Sequence, residues 1–270
     1  MNDNTALRGL DHVVIALHDL DRGIADYRAL GFTVVPGGSH PGRSSHNALV
    51  VFADGAYLEL IAWRAPAPEE RWWRVLQAQG EGLVDFALLP VDTAAATDAA
   101  RARGLHSIIG PLEGGRVRPD GATLQWRTAR QASADLPFLC GDVTPRSLRV
   151  PEGELRLHAN GALGVAALHI AVRDLTTSVA RYRALLGPAT PVELLPADAA
   201  NGPAQAVFVL GATRFSLVAP AAGAPAAGAP LGLTDSRDEG VKQLTLAGAA
   251  GAARHRLSSS ASHGVAIAIG

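Results

Sequence analysis

Cysteine is almost missing from this chain: of 270 residues only Cys140 is one. An intramolecular disulfide is therefore excluded, and a thiolate-rich zinc site with it, so any metal must be held mainly by His and carboxylate groups. Lysine is equally scarce, with Lys242 alone against an otherwise arginine-based cation set. The formal net charge is −1, and the arginines are scattered rather than gathered into a stripe, so no field recruits nucleic acid or an anionic membrane. Together with abundant alanine, that arginine bias reads as GC-rich coding. No apolar run is long enough to span a bilayer, because Gly, Pro and Arg interrupt each candidate. The first ten residues carry neither a basic nor an apolar signal segment, and a cytoplasmic location is expected.

What is present is an ordinary folding composition, 48% hydrophobic and 18% charged, in a chain long enough for one large or two small domains. It also contains a repeat. Ile15-Ala16-Leu17-His18-Asp19-Leu20 followed by Ala25-Asp26-Tyr27-Arg28-Ala29-Leu30 returns as Ile170-Ala171-Val172-Arg173-Asp174-Leu175 and Ala180-Arg181-Tyr182-Arg183-Ala184-Leu185. So long an ordered match indicates duplication.

Each copy parses alike. Residues 10–17 alternate as a strand, with Val13, Ile15 and Leu17 on one face and His12, Val14 and Ala16 on the other. Asp19 is placed to cap a helix that ends near Gly31. Residues 32–35, 47–52 and 56–62 read as three further strands, the last two joined through Asp54-Gly55 taken as a two-residue hairpin turn. A weaker unit spans Leu83 to Cys140, a third begins near residue 160, and a partial fourth uses Val241–Leu246 and Val265–Ile269. Residues 219–232, nearly all Ala, Pro and Gly, read as a linker. The expected fold is α+β: repeated βαβββ units forming curled mixed sheets around a cleft. The expected division is residues 8–150, with the site, and 160–270, mainly structural.

The strings Gly37-Gly38-Ser39-His40-Pro41-Gly42, His46-Asn47-Ala48-Leu49 and Tyr57-Leu58-Glu59-Leu60-Ile61-Ala62 resemble the glyoxalase-like branch of the vicinal-oxygen-chelate superfamily. Asp120-Gly121, Leu124 to Arg127 and Leu136-Pro137-Phe138 resemble its second half. The resemblance implies a metal-binding His on the first strand of a unit and a Glu on its fourth, the positions of His12 and Glu59.

With a two-residue turn, Val50 faces Glu59, and His46, Tyr57, Glu59, Ile61 and Trp63 share the cleft face. A carboxylate among such large apolar groups needs a cation or a metal as partner. The expected catalytic set is Glu59, His46 and Tyr57. The expected metal set is His12, Glu59, His46 and Asp85, the last standing at the His12 position of the middle unit. Substrate contacts are expected from His40, Asn47, Trp63, Arg118 and Trp126, with Arg116 in the same Gly-rich loop suited to a carboxylate. The third unit has Ala167 and Ser216 where His12 and Glu59 stand, so the full symmetrical ligand set is missing.

The functional expectation is a divalent-metal lyase or isomerase (Zn, Mn, Ni or Fe(II)) acting on a small carbonyl, hydroxy acid or phenolic metabolite. An Fe(II) extradiol-type dioxygenase and a metal-free binding or drug-sequestering protein are the alternatives. The partner expected is a small molecule, with a homodimer the assembly left open.

Overall fold

The computed structural model describes residues 6–197, 203–219, 239–249 and 254–270. The linker expected over 219–232 lies outside them beyond Ala219. Among the described residues no helix is long and apolar enough to cross a membrane.

The first half runs β1 (Leu7–Ala16), α1 (Leu20–Ala29), β2 (Val35–Ser39), β3 (Ser45–Val51), β4 (Tyr57–Trp63), α2 (Arg71–Gln79), β5 (Gly82–Pro90), α3 (Thr93–Ala102), β6 (Ile109–Val117), β7 (Thr123–Arg130), β8 (Phe138–Asp142) and the single turn α4 (Arg146–Arg149). Its eight strands close into a barrel in the order β1-β4-β3-β2-β6-β7-β8-β5. The second half runs β9 (Gly164–Ala171), α5 (Leu175–Leu186), β10 (Glu193–Leu195), β11 (Gln205–Leu210), β12 (Thr213–Val218), β13 (Gly240–Ala247), β14 (His255–Arg256) and β15 (Ala266–Ile269). These form a seven-stranded sheet, β10-β11-β12-β9-β13-β15-β14.

The repeat is visible in local chemistry. Asp19, Asp92 and Asp174 each cap a helix, their carboxylates accepting from the backbone N–H of Arg22, Ala95 and Thr177. β1 pairs in parallel with β4 and antiparallel with β5, and β9 repeats this with β12 and β13. In the β1–β5 seam Val14 pairs with Asp85 and Ala87 with His12. Counted from the Val13–Phe86 pair, His12 and Asp85 hold corresponding places on their two strands.

The β3–β4 hairpin departs from the expected register. Phe52 N–H donates to the Ala56 carbonyl and Gly55 N–H to that of Phe52, which makes a three-residue loop, Ala53-Asp54-Gly55. Asp54 accepts from Ala56 N–H, and Gly55 takes φ +83°, a conformation that glycine adopts without a Cβ clash. Leu49, not Val50, then faces Glu59. One residue of slip moves every β3 side chain to the opposite face. Ala48, Val50 and Phe52 go to the outer core with Leu58, Leu60, Val13 and Ile15, while Leu49 and Val51 line the interior with Tyr57. That outer core also takes in Leu168, Ile170 and Phe215 of the second sheet, so one apolar layer joins the two halves. Each fully buried Leu or Ile in it contributes about 1.5–3 kcal/mol.

Two further elements differ from expectation. Residues 109–117, read as part of a Gly-rich loop, form β6, and α2, an element that the expected units did not include, packs against β5 and β1.

Candidate active site

The barrel interior holds a cavity of about 660 Å³, bordered by His12, His40, Asn47, Tyr57, Glu59, Arg116, Trp126, Arg130, Phe138 and Cys140 among others. That is the volume of a small-molecule site.

Its floor is set by Asp11, which is 0% exposed. In the β1–β5 ladder Leu10 faces Leu88 and His12 faces Ala87, leaving Asp11 as an extra residue. Such a bulge re-aims a side chain, and here it turns Asp11 towards His12 although the two are neighbours in sequence. Asp11 accepts from His12 Nδ1 at 2.7 Å, from Arg149 Nη1 and Nη2 at 2.7 and 3.0 Å, and from Arg146 Nη1 at 2.6 Å. Arg149 also donates to Asp142 and, at 2.7 Å, to the Tyr57 hydroxyl. Burial alone would raise the Asp11 carboxyl, but the charge of Arg149 and the His12 hydrogen bond hold it well below the usual range.

An ionised Asp11 can only accept, so the His12 Nδ1 carries a proton and Nε2 is the free end of the ring. Nε2 lies 3.4 Å from Glu59 Oε2. The His12 ring stacks on Tyr57, centroids 4.7 Å apart, and meets Phe138 edge-on. Glu59, on β4, is buried and accepts from Asn47 Nδ2 at 2.6 Å on Oε1, and His40 Nε2 lies 3.8 Å from that same oxygen. Burial raises the Glu59 carboxyl, yet the hydrogen bond and charge of His12 outweigh it and bring it down to about 2. Burial opposes charge on His12 as well, and its two carboxylate partners raise it nonetheless. His40, held through Nδ1 by the Ser45 hydroxyl, is lowered by burial and stays neutral.

Two acceptors, a carboxylate and an imidazole lone pair, do not face one another without a cation between them. Either Nε2 is protonated or a metal ion joins the two. The donor set suits a divalent ion: two imidazoles and a carboxylate that border one cavity, with His12 backed by a carboxylate as metal-ligating histidines are. A different cluster, Asp11, His12 and Cys140, is the group among the described residues whose ligand atoms all lie within 4.8 Å of one another. It does not suit a metal. Both Asp11 oxygens are already taken by two guanidinium groups and His12, and burial pushes the Cys140 thiol up, away from the thiolate.

The structure thus gathers His12, Glu59, His40, Asn47, Tyr57 and Trp126, as the residues implied, and adds Asp11, Arg130, Arg149 and Cys140. Four expected residues fall elsewhere. His46 pairs with Ala62 and, by the register slip, turns away from Glu59 to the opposite face of β3. Asp85 is buried outside the cavity lining, accepting from Trp72 Nε1 at 2.8 Å and its neighbour's N–H, with Arg71 3.6 Å away. Trp63 donates to Glu70, and Arg118 to Asp120 and the Leu148 carbonyl; neither lines the cavity.

Repeated βαβββ units enclosing a His- and Glu-bearing cavity define a vicinal-oxygen-chelate protein. The family model described as a glyoxalase-like domain matches residues 10–186, and the chain belongs to that family. No curated protein matches the sequence significantly. Among solved structures, a hypothetical protein from Staphylococcus aureus is similar over 97% of this chain and 98% of its own, at 12% identity and a TM-score of 0.69. A mutant 4-hydroxymandelate synthase from Streptomyces coelicolor is similar over 90% and 71%, at 13% identity and a TM-score of 0.57. A xylose isomerase-like TIM barrel/4-hydroxyphenylpyruvate dioxygenase fusion protein is similar over 90% and 37%, at 18% and 0.54. At such identities the likeness establishes the fold.

Proposed function

We propose that this protein is a metal-dependent lyase or isomerase acting on a small oxygen-rich metabolite inside the barrel. The observation that supports this most is the tautomer imposed on His12. Asp11 holds the Nδ1 proton, and Nε2 is left facing Glu59 across 3.4 Å at the edge of a small-molecule cavity.

His12, Glu59 and His40 would hold the divalent ion, which when bound would supply Lewis-acid stabilisation of an oxygen that gains charge. The rest falls to the chain itself. Asp11, fixed by Arg149, keeps the His12 ring in one orientation. Asn47 fixes one Glu59 oxygen and leaves the carboxylate ionised at neutral pH, able to accept a proton from carbon or hydroxyl. Tyr57 is kept neutral by burial and has its hydroxyl oxygen fixed by Arg149, so its proton remains to donate into the cavity. Trp126, Phe138 and Ile61 exclude water from the same space.

The test is chelator-treated protein reloaded in turn with Zn, Mn, Ni or Fe(II) and assayed against a panel of carbonyl compounds, hydroxy acids and phenols. Turnover should appear only with metal and fall roughly 10²–10⁴-fold in Glu59→Gln. Equal turnover without metal, or in Glu59→Gln, would overturn the reading; stoichiometric O₂ uptake with Fe(II) would replace it with the dioxygenase alternative.

A further inference from the structure

Nearly every buried or half-buried acid around the barrel interior is matched to a cation. Asp11 and Asp142 share Arg149 and Arg146, Asp85 has Arg71, and Glu59 has His12. Of the carboxylates nearer the mouth, Glu70 has Arg43 and Glu113 has Arg127. Two guanidinium groups that line the cavity are left over, Arg116 and Arg130.

Arg116, on β6, is 3% exposed. Its Nη1 donates to the Asn47 side-chain oxygen at 3.3 Å and its Nη2 to the Arg149 carbonyl at 3.1 Å, both neutral acceptors. Its Nε–H is buried with no acceptor among the described residues. Arg130, at the end of β7, lies 5.2 Å from the ring centres of both Trp72 and Phe138. Those rings pack against the guanidinium, and no side chain or carbonyl among the described residues accepts from its N–H groups. Asp85 and, more weakly, Glu59 act on Arg130 electrostatically, and Glu59 acts on Arg116, but none of these carboxylates is in ion-pair contact with either guanidinium. A guanidinium enclosed in a cavity wall with no carboxylate in direct contact is under-satisfied, and one seated against two rings is pre-organised for a carboxylate taken bidentately.

The geometry points to a small organic acid as the ligand of this cavity, its ionised carboxylate held by Arg130 and a second oxygen by the Arg116 Nε–H. The inference builds on the reading of the cavity as a substrate site and supplies the chemical class that the His12–Glu59 centre would act on. A neutral carbonyl compound would bring neither cation a carboxylate in direct contact, which is how the site discriminates.

Calorimetric titration of the full chain with benzoate and succinate, and with their neutral counterparts benzamide and succinamide, tests it. At least one acid should bind roughly tenfold or more tighter than its amide, by about 1.4 kcal/mol or more. Arg130→Met should bring that acid down to the level of the amide, and Arg130→Lys should restore part of the difference because it keeps the charge but loses the fork. Arg116→Met should weaken it less, and thermal unfolding of each variant confirms that the fold is intact. Glu59→Gln should bind the acid at least as well as the parent, since it removes a nearby negative charge. Acid binding that survives in Glu59→Gln while turnover is unaffected by that change would sink the catalytic reading and leave this one standing. Equal binding of acid and amide, undiminished binding in Arg130→Met, or no acid binding up to about 10 mM would overturn it.

Discussion

Arg149→Met is the perturbation whose outcome follows most directly from the buried network. Arg149 is 3% exposed and clamps Asp11 bidentately, holds Asp142, donates to Tyr57 and lies over its ring. Methionine keeps much of the stem volume but leaves Asp11, 0% exposed, with only Arg146 and His12. Removing one partner of a buried ion pair costs about 3–5 kcal/mol. Arg146 already touches both acids and is the more exposed of the two arginines, so it can take over part of the charge and the lower end applies. A loss of about 3 kcal/mol corresponds to a fall in Tm of roughly 6–12 °C for a chain of this size. Urea unfolding and calorimetry of the parent, Arg149→Met, Asp11→Asn and the double variant measure it. Because Asp11 and Arg149 are in direct contact, the double variant should be more stable than additivity allows, by about 0.5–3 kcal/mol. A loss under about 1 kcal/mol in Arg149→Met, or strict additivity, would refute the claim that this pair anchors the floor of the site.

His46→Ala should change turnover less than about twofold, whereas His40→Ala should lower it by roughly tenfold or more, a contrast that reads out the β3–β4 register directly. Cys140 should resist a thiol reagent in native protein and react once the chain is unfolded, and Cys140→Ala should bind metal as the parent does; rapid native labelling would contradict its burial. Glu81 accepts from His263 Nδ1 at 2.6 Å and from His18 N–H at 2.8 Å; although burial alone would raise its carboxyl, these bonds lower it. A depressed acid stabilises the fold above its unfolded pKa of about 4.3 and loses that contribution as pH falls through the folded value. Glu81→Gln should therefore cost about 1 kcal/mol near neutrality and flatten the acid-side decline in stability below about pH 5, measured by denaturation across pH.

The units were legible because their signals are local. An Asp cap, an apolar stripe and strand alternation recur at Asp19 and Asp174, and alternation alone puts His12, Val14 and Ala16 on the inner face. The hairpin register was not legible, because Asp54-Gly55 serves equally as a two-residue turn or as the end of a three-residue loop, and Gly55 needs positive φ either way. That single ambiguity sent His46 to the wrong face and left Asn47 among the substrate contacts instead of on Glu59. β6 was hidden by Gly114 and Gly115, which break the strand pattern; Gly114 sits where a Cβ would come 2.4 Å from the Trp126 indole nitrogen, so the glycine makes room for a cavity wall. Asp11 escaped notice because regular alternation points it away from His12, and only the bulge reverses it. Arg149 comes from a single helical turn far along the chain, a long-range partner that no local pattern announces. Arg130 carried no signal of its own in sequence.

The central claim is that His12 and Glu59, with His40, form one metal-binding centre. Equilibrium binding of Mn²⁺ or Zn²⁺ to chelator-treated parent, His12→Ala, Glu59→Gln and His46→Ala tests it without any knowledge of the substrate. One ion per chain should bind the parent and His46→Ala alike, with affinity falling on the order of 100-fold or more in His12→Ala and Glu59→Gln. Equal binding in all four proteins, or loss confined to His46→Ala, would contradict it.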